Sequence, residues 1–318
     1  MAQNPYVKPY VKSMDSGFDV PYATFDEYSE QFKDIFTMKR ENGIIEVLMH
    51  TDGGDAIWHH GMHKGWSQVL YYIGQDPENE VVILGGTGDY FIKGVNMEAG
   101  QIAAEMIAQG KAEEVRRHQI EFVYDTEWID GRALVHAVTD YLNVPTIGVY
   151  NGPSTGLSCI ATLCDLTICA EDAIFNEVHF NADMVPGDGH FLSFQMLAGT
   201  KRASYMAYTA QNVDAQTAKE WGMVNEVLPK DQLLPRAWEL ARQIMTKSRY
   251  TRRWMHDIAV KPYREQVQKD LELQFSLEIA SQLMNSSLNQ KDYNKAIQEH
   301  ITDYVQDSYE EGEAPAEA

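Results

Sequence analysis

Phe175-Asn176-Glu177-Val178-His179-Phe180-Asn181-Ala182-Asp183-Met184-Val185-Pro186-Gly187-Asp188-Gly189 is an irregular stretch between an apolar run, Leu166 to Cys169, and an apolar helical pattern that starts near His190. It puts a histidine and an aspartate in one segment rich in turn residues. Loops carried by a rigid scaffold hold a disproportionate share of catalytic groups. Pro186-Gly187-Asp188-Gly189 reads as a tight turn able to fold Asp188 back toward His179. A carboxylate on one imidazole nitrogen fixes the tautomer and leaves the other nitrogen free as a base. The same residues also suit a structural reading, with His179 a hydrogen-bonded core histidine and Asp188 the N-cap of the next helix. The pair alone does not choose between the two, so the surrounding chain decides.

Upstream, Leu166 to Cys169, Thr146 to Val149 and Val81 to Leu84 are short continuous apolar runs separated by helical patterns. Such runs fit buried strands of an α/β core better than alternating surface strands. Phe32 to Lys39 and Ile44 to Met49 flank Glu41-Asn42-Gly43, a hairpin signal. From Trp58 to Ile73 the apolar residues Met62, Trp66, Val69, Leu70 and Ile73 recur at helical spacing, with Gly74 a candidate C-cap. Ala99 to Leu142 is mostly helical in pattern. After Gly189 the chain reads as helix apart from Val224-Asn225-Glu226-Val227, with segments at Ala203 to Ala210, Ala215 to Trp221, Leu233 to Met245, Tyr250 to Ala259, Arg264 to Leu283 and Asp292 to Val305. No internal repeat is visible.

A chain of 318 residues, 44% hydrophobic, can bury a substantial core. No apolar run is long enough to span a bilayer, and the start of the chain lacks a signal-peptide pattern, so a cytoplasmic location is expected. Cys159, Cys164 and Cys169 lie five apart in one apolar stretch, which suits small core residues rather than disulfides or zinc. The formal charge of -21 argues against nucleic acid and anionic membranes as partners. Residues 1–25 lack periodicity and read as an arm, and residues 307–318 as an acidic disordered tail.

Gly85-Gly86-Thr87-Gly88 follows an apolar run but lacks the third glycine of a dinucleotide fingerprint, and Lys93 lacks the setting of a Walker loop. Gly94 suits a strand-to-helix turn at which backbone N–H groups converge on an oxyanion, or an ordinary turn. His59, His60 and His63 share one helical face, yet nothing at recognised ligand spacing makes them a metal site. Trp58 is either core or, through its indole N–H, a donor to a substrate carbonyl.

In order along the chain come Gly86-x-Gly88-x-x-Phe91-x-x-Gly94, Pro145-Thr146-Ile147-Gly148-Val149-Tyr150-Asn151-Gly152-Pro153, Cys164-Asp165-Leu166 and the stretch 175–189. This series resembles the crotonase (enoyl-CoA hydratase) superfamily over roughly residues 32–285. The resemblance implies an α/β fold: a crotonase-like ββα spiral core, here residues 26–245, followed by a C-terminal helical trimerisation region, residues 246–306. It also implies an oxyanion hole of two backbone N–H groups, the first at Val95 and the second in the Gly156-Leu157-Ser158 turn. The two catalytic glutamates of the hydratases are absent, because their positions hold Cys159 or Ile160, and His179. The loop that would meet a CoA adenosine, His50-Thr51-Asp52-Gly53-Gly54-Asp55, is acidic.

These departures are similar to one branch, 6-oxocamphor hydrolase and related β-diketone hydrolases, through Trp58, His179, Val185 to Gly189, Val224 to Leu228, Leu234 to Arg242 and Glu278. The resemblance implies a hydrolase that cleaves a carbon–carbon bond of a 1,3-diketone by a retro-Claisen step without a cofactor or metal. His179 and Asp188 would activate water, Trp58, His63 and Glu278 would bind the diketone, and Val95, Leu157 and Ser158 would mark the oxyanion hole. A homotrimer or dimer of trimers is expected. The arm, additional helical sequence at 100–127 and the C-terminal extension have no counterpart in that branch. The alternatives are a CoA-dependent enzyme of the same fold, a ring-opening acyl-CoA hydrolase or an enoyl-CoA hydratase/isomerase, and a non-catalytic interaction protein.

Overall fold

A computed structural model describes residues 22–96, 102 and 105–288. The expected arm, acidic tail and helix at Asp292 to Val305 lie outside these residues, apart from the end of the arm segment, where Thr24 caps a helix at Phe25–Gln31 (α1) through a capping box with Glu27. Asn42 and Gly43 take φ values of 50° and 82°, the left-handed pair that a two-residue hairpin requires. They join β1 (Phe36–Glu41) to β2 (Ile44–Met49).

A six-stranded sheet has the order β1, β2, β4 (Val81–Gly86), β6 (Thr146–Tyr150), β7 (Leu166–Ala170), β10 (Glu226–Leu228), with every pair after the hairpin parallel. The side chains of β4 and β6 are buried throughout, which explains why these strands read as continuous apolar runs. Each of four successive strands is followed by a short segment in a second layer. β2 leads to β3 (Ile57–Trp58), β4 to Ile92 and β5 (Gly94–Val95), β6 to Ser154, and β7 to β8 (Ile174–Phe175). These segments pair in turn: β3 with β5, Ile92 with Ser154, the Ser154 N–H with the Ile174 carbonyl, and β8 with β9 (Val213–Asp214). This alternation is the ββα spiral expected from the sequence.

Several boundaries differ from those expected. Trp58 ends a strand, and the helix α2 runs over His60–Gln75, with His59 accepting the Met62 N–H as its N-cap. Gly74 lies inside that helix; a Cβ there would sit 1.9 Å from the Tyr141 carbonyl oxygen, so close helix approach accounts for the glycine. The 99–142 region holds α3 (Ala112–Phe122), α4 (Arg132–His136) and two wide π-helical segments, Val123–Gly131 and Ala137–Tyr141.

A short helix, α5 (Cys159–Thr162), lies between β6 and β7, and after β8 come α6 (His190–Ala198), α7 (Thr200–Thr209), α8 (Ala215–Glu220) and α9 (Lys230–Ile244). The final helix, α10, runs unbroken over Arg249–Leu288 through Pro262, where two helices were expected. Val260, Val267, Leu271 and Phe275 are buried along it, so packing on both sides of the proline holds the two halves in one helix. Arg249, Arg252 and Arg253 converge on the buried Glu80 just ahead of β4 and fix its start to the sheet. Among the described residues no helix is long and apolar enough to cross a membrane.

Candidate active site

A cavity of about 560 Å³ opens between the second layer, the π-helical segment Val123–Gly131 and α10. That volume suits a small organic molecule. Trp58, His63, Val95, Leu157, His179, Asp188 and Glu278, all named from sequence, line it. Ser158 does not; it opens α5 and its hydroxyl pairs with the Tyr150 hydroxyl at 2.9 Å in the core. Leu157 takes φ 53°, a left-handed conformation that a branched side chain rarely adopts and that strained functional turns retain.

The loop carrying Val95 is pinned from two sides. Asn151 accepts the Gly86 N–H at 3.1 Å and donates to the Tyr90 carbonyl at 2.9 Å. Asp55 accepts the Asp89 N–H at 2.6 Å and pairs with Lys93 at 3.0 Å. Asp55 is therefore engaged in holding this loop, and its charge is partly met by Lys93. Trp58 is buried in the cavity wall and its indole N–H has no partner among the described residues, so it is placed to donate to a bound molecule.

The expected His179 and Asp188 do come together, but not as expected. Asp188 was assigned the role of orienting the imidazole; instead Glu177 Oε1 sits 2.7 Å from Nδ1 and also accepts the His179 backbone N–H at 2.9 Å. Asp188 Oδ2 lies 3.6 Å from the other nitrogen, Nε2, too far for a direct hydrogen bond. Its Oδ1 accepts the His190 N–H at 3.0 Å at the start of α6. The physical reason is local: a carboxylate two residues away in an irregular strand end curls back onto the ring, leaving Asp188 facing the reactive side. Burial opposes charge on His179, but Glu177 and then Asp188 outweigh it and hold the imidazole well above its ordinary range.

Sequence reasoning missed Glu177 as a partner, although it stands in the decisive stretch. It also missed His190, fully buried with Nδ1 3.3 Å from Glu177 Oε2. Burial lowers the His190 pKa, and neither of its ring nitrogens nor Glu177 Oε2 has a hydrogen-bond partner among the described residues, so His190 stands beside the carboxylate that grips His179 without bonding to it. Glu177 is itself lowered; burial works against its charge, and His179 and His190 overcome it.

Helix α10 closes the site. Glu278 Oε2 accepts the Gly187 N–H at 2.7 Å, and Ser281, three residues on, accepts the Val185 N–H at 3.0 Å. Gly187 permits this seat, because a Cβ there would lie 2.1 Å from the Gln274 carbonyl oxygen. Burial and the nearby Asp188 push the Glu278 carboxyl up to about 8. Glu127, unassigned from sequence, lines the same cavity and is pushed up to about 7 by burial, then by Asp188 and Asp130. Burial pushes His63 down to about 4, which favours the neutral ring, and its buried Nδ1 has no hydrogen-bond partner among the described residues.

Two groups could bring three metal-ligand atoms within 4.8 Å of one another: Glu177, His179 and His190, and His179, Asp188 and Glu278. Both depend on His179. None of His59, His60 and His63 belongs to either. Among the described residues the lining contains no Lys or Arg, so its titratable groups are carboxyls and imidazoles.

The model of the enoyl-CoA hydratase/isomerase family matches residues 39–305. A short-chain-enoyl-CoA hydratase of Clostridium acetobutylicum is 28% identical over 167 residues, 50% of this chain and 64% of that enzyme, just short of two thirds of its length. A crotonyl-CoA hydratase of Syntrophomonas wolfei is 26% identical over 208 residues, 65% of this chain and 72% of that enzyme. Among solved structures, a β-diketone hydrolase from the cyanobacterium Anabaena sp. PCC 7120, bound to (S)-3-oxocyclohexyl acetic acid, aligns with a TM-score of 0.72 at 26% identity. It covers 81% of this chain and 98% of that one.

Proposed function

This chain belongs to the enoyl-CoA hydratase/isomerase family, the crotonase superfamily of enzymes, and on that premise we propose that it is a hydrolase cleaving the bond between the carbonyls of a 1,3-diketone. One observation carries the reading. His179 is gripped on Nδ1 by Glu177 while Nε2 and Asp188 Oδ2 stand 3.6 Å apart at the cavity wall, where one water in the cavity can hydrogen-bond to both from the side. A hydratase acting through two glutamates at the family positions has no counterpart here, because those positions hold Cys159 or Ile160, and His179, and neither Cys159 nor Ile160 lines the cavity.

In this mechanism neutral His179 takes a proton from that water, whose oxygen adds to one carbonyl carbon. Asp188 and Glu177 stabilise the imidazolium that forms. The carbon–carbon bond breaks, and its electron pair becomes an enolate whose oxygen is held by backbone N–H groups at the Val95 and Leu157 turns. Trp58 donates to the attacked carbonyl. A positioned base or donor of this kind contributes on the order of 100- to 10,000-fold in rate. No cofactor enters any step.

The named relatives favour a second reading, a CoA-dependent enzyme of the same fold. No Lys or Arg of the described residues lines the cavity to meet the phosphates of such a ligand. Turnover of a panel of cyclic and acyclic 1,3-diketones by the purified protein, without added CoA, tests the reading. Formation of a keto acid supports it. No turnover of any diketone, together with a thermal shift on adding CoA, would transfer the assignment to the second.

A further inference from the structure

Retro-Claisen cleavage leaves a demand that the water-activating pair does not meet: the enolate carbon must receive a proton. His179 has just taken one from water, beside the carbon under attack. A second acid facing another part of the cavity would complete the reaction.

We propose that Glu127 is that acid, delivering its proton to the carbon that departs as the enolate. The inference rests on the diketone-hydrolase reading. Glu127 lines the cavity from the segment Val123–Gly131, which winds in wide π-type turns. π-Helical turns are rare and concentrate at functional sites, because the extra residue per turn re-aims side chains. The neighbours of Glu127 fix this segment against α10. Trp128 stacks on Phe275 with ring centroids 6.3 Å apart, Arg132 covers the Trp128 ring at 4.5 Å, and Arg132 pairs with Glu272 at 2.9 Å. Gly131 makes the contact possible, since a Cβ there would lie 2.3 Å from the Phe275 ring.

Glu127 and Glu278 are near enough for one to raise the other's pKa, but they are held differently. Glu278 shares the cluster of atoms within 4.8 Å that includes His179 and Asp188, and it is tied to the Gly187 N–H. Glu127 is outside that cluster yet near enough to feel the charges of Asp188 and His179. A diketone with one carbonyl at the water site can therefore present its central carbon toward Glu127. Burial beside Asp188 and Asp130 keeps a proton on this carboxyl near neutral pH, as a donor needs.

The step balances. Water's oxygen bonds to the carbonyl carbon and its proton goes to His179. The carbon–carbon bond breaks and its electron pair passes to the central carbon as the enolate. The Glu127 O–H breaks as the new C–H bond forms, and the carboxylate left behind regains a proton from solvent, to which His179 releases its own.

A six-membered cyclic 1,3-diketone with a methyl and a propyl group on its central carbon makes the step visible, because protonation there creates a stereocentre. Wild type should give one configuration. Glu127→Gln should lower kcat by about 100-fold or more and give nearly racemic product, because solvent then protonates either face, with a melting temperature close to wild type. Glu278→Gln should keep the configuration, and Glu127→Asp should recover part of the stereochemical preference. A Glu127→Gln enzyme that keeps wild-type rate and configuration overturns the inference, as does racemic product from wild type or loss of configuration in Glu278→Gln alone. No turnover by wild type would instead overturn the underlying diketone reading.

Discussion

Glu177 and His179 meet twice: one carboxylate oxygen accepts the histidine's backbone N–H at 2.9 Å and faces its Nδ1 at 2.7 Å. The imidazole is thus fixed in tautomer and in rotation before any substrate arrives. Glu177→Gln removes the charge while keeping the shape. Its rate on a diketone should fall by on the order of 100-fold, and the acid limb of its pH profile should move downward, because burial then weighs more heavily against the imidazolium. An unchanged limb would assign the raised affinity for the proton to Asp188 alone.

The same geometry gives activity and stability opposite slopes. His179 must be neutral to accept a proton, and its pKa is raised above 6.5, so the acid limb of kcat/KM should lie above 6.5. A raised folded-state pKa stabilises the fold fully below the unfolded value and loses that contribution as pH rises through the folded value. The melting-temperature advantage of wild type over His179→Asn should therefore shrink across the pH range in which activity grows. Paired thermal and kinetic profiles check this. A rate limb below 6.5, or an advantage that widens with pH, would contradict it.

Gly187 offers a test of how α10 completes the site. Gly187→Ala forces a methyl to 2.1 Å from the Gln274 carbonyl oxygen, so either the loop or the helix must shift. The expected result is a drop of roughly 1–3 kcal/mol in stability and loss of most activity, since Asp188 moves with the loop. Chemical denaturation and turnover measure the two effects.

The strands of the large sheet were legible because burial on both faces writes them as continuous apolar runs, Val81 to Leu84 being the clearest. The fourfold alternation between layers was not, because its second segments are as short as Ile57–Trp58 and Gly94–Val95, too brief for any periodicity. Trp58 consequently read as helix. His179 and Asp188 were visible as residue types in a turn-rich loop, but which nitrogen each carboxylate faces depends on how the chain curls after Phe175, and no spacing encodes that. Glu127 was hidden for another reason: its approach to the cavity depends on π-type winding that a 3.6-residue pattern does not reveal.

Assembly is expected from the surface of α10 and its surroundings. Trp254, Met255, Ile258, Leu273 and Leu277 are each at least half exposed on that helix, an apolar display uncommon on a monomer. Light scattering at micromolar concentration should report a trimer or a dimer of trimers. A clean monomer mass would contradict this.

The account stands most directly on His179. Turnover of a cleavable 1,3-diketone and the melting temperature, measured on the same samples of wild type, His179→Ala and Asp188→Asn, separate chemistry from structure. His179→Ala should lose activity by about 100-fold or more while staying folded, and Asp188→Asn should lose less, because it retains its hydrogen bond to the His190 N–H but cannot stabilise the imidazolium. A His179→Ala enzyme that keeps most of its activity, or one whose loss matches its unfolded fraction, would contradict the mechanism.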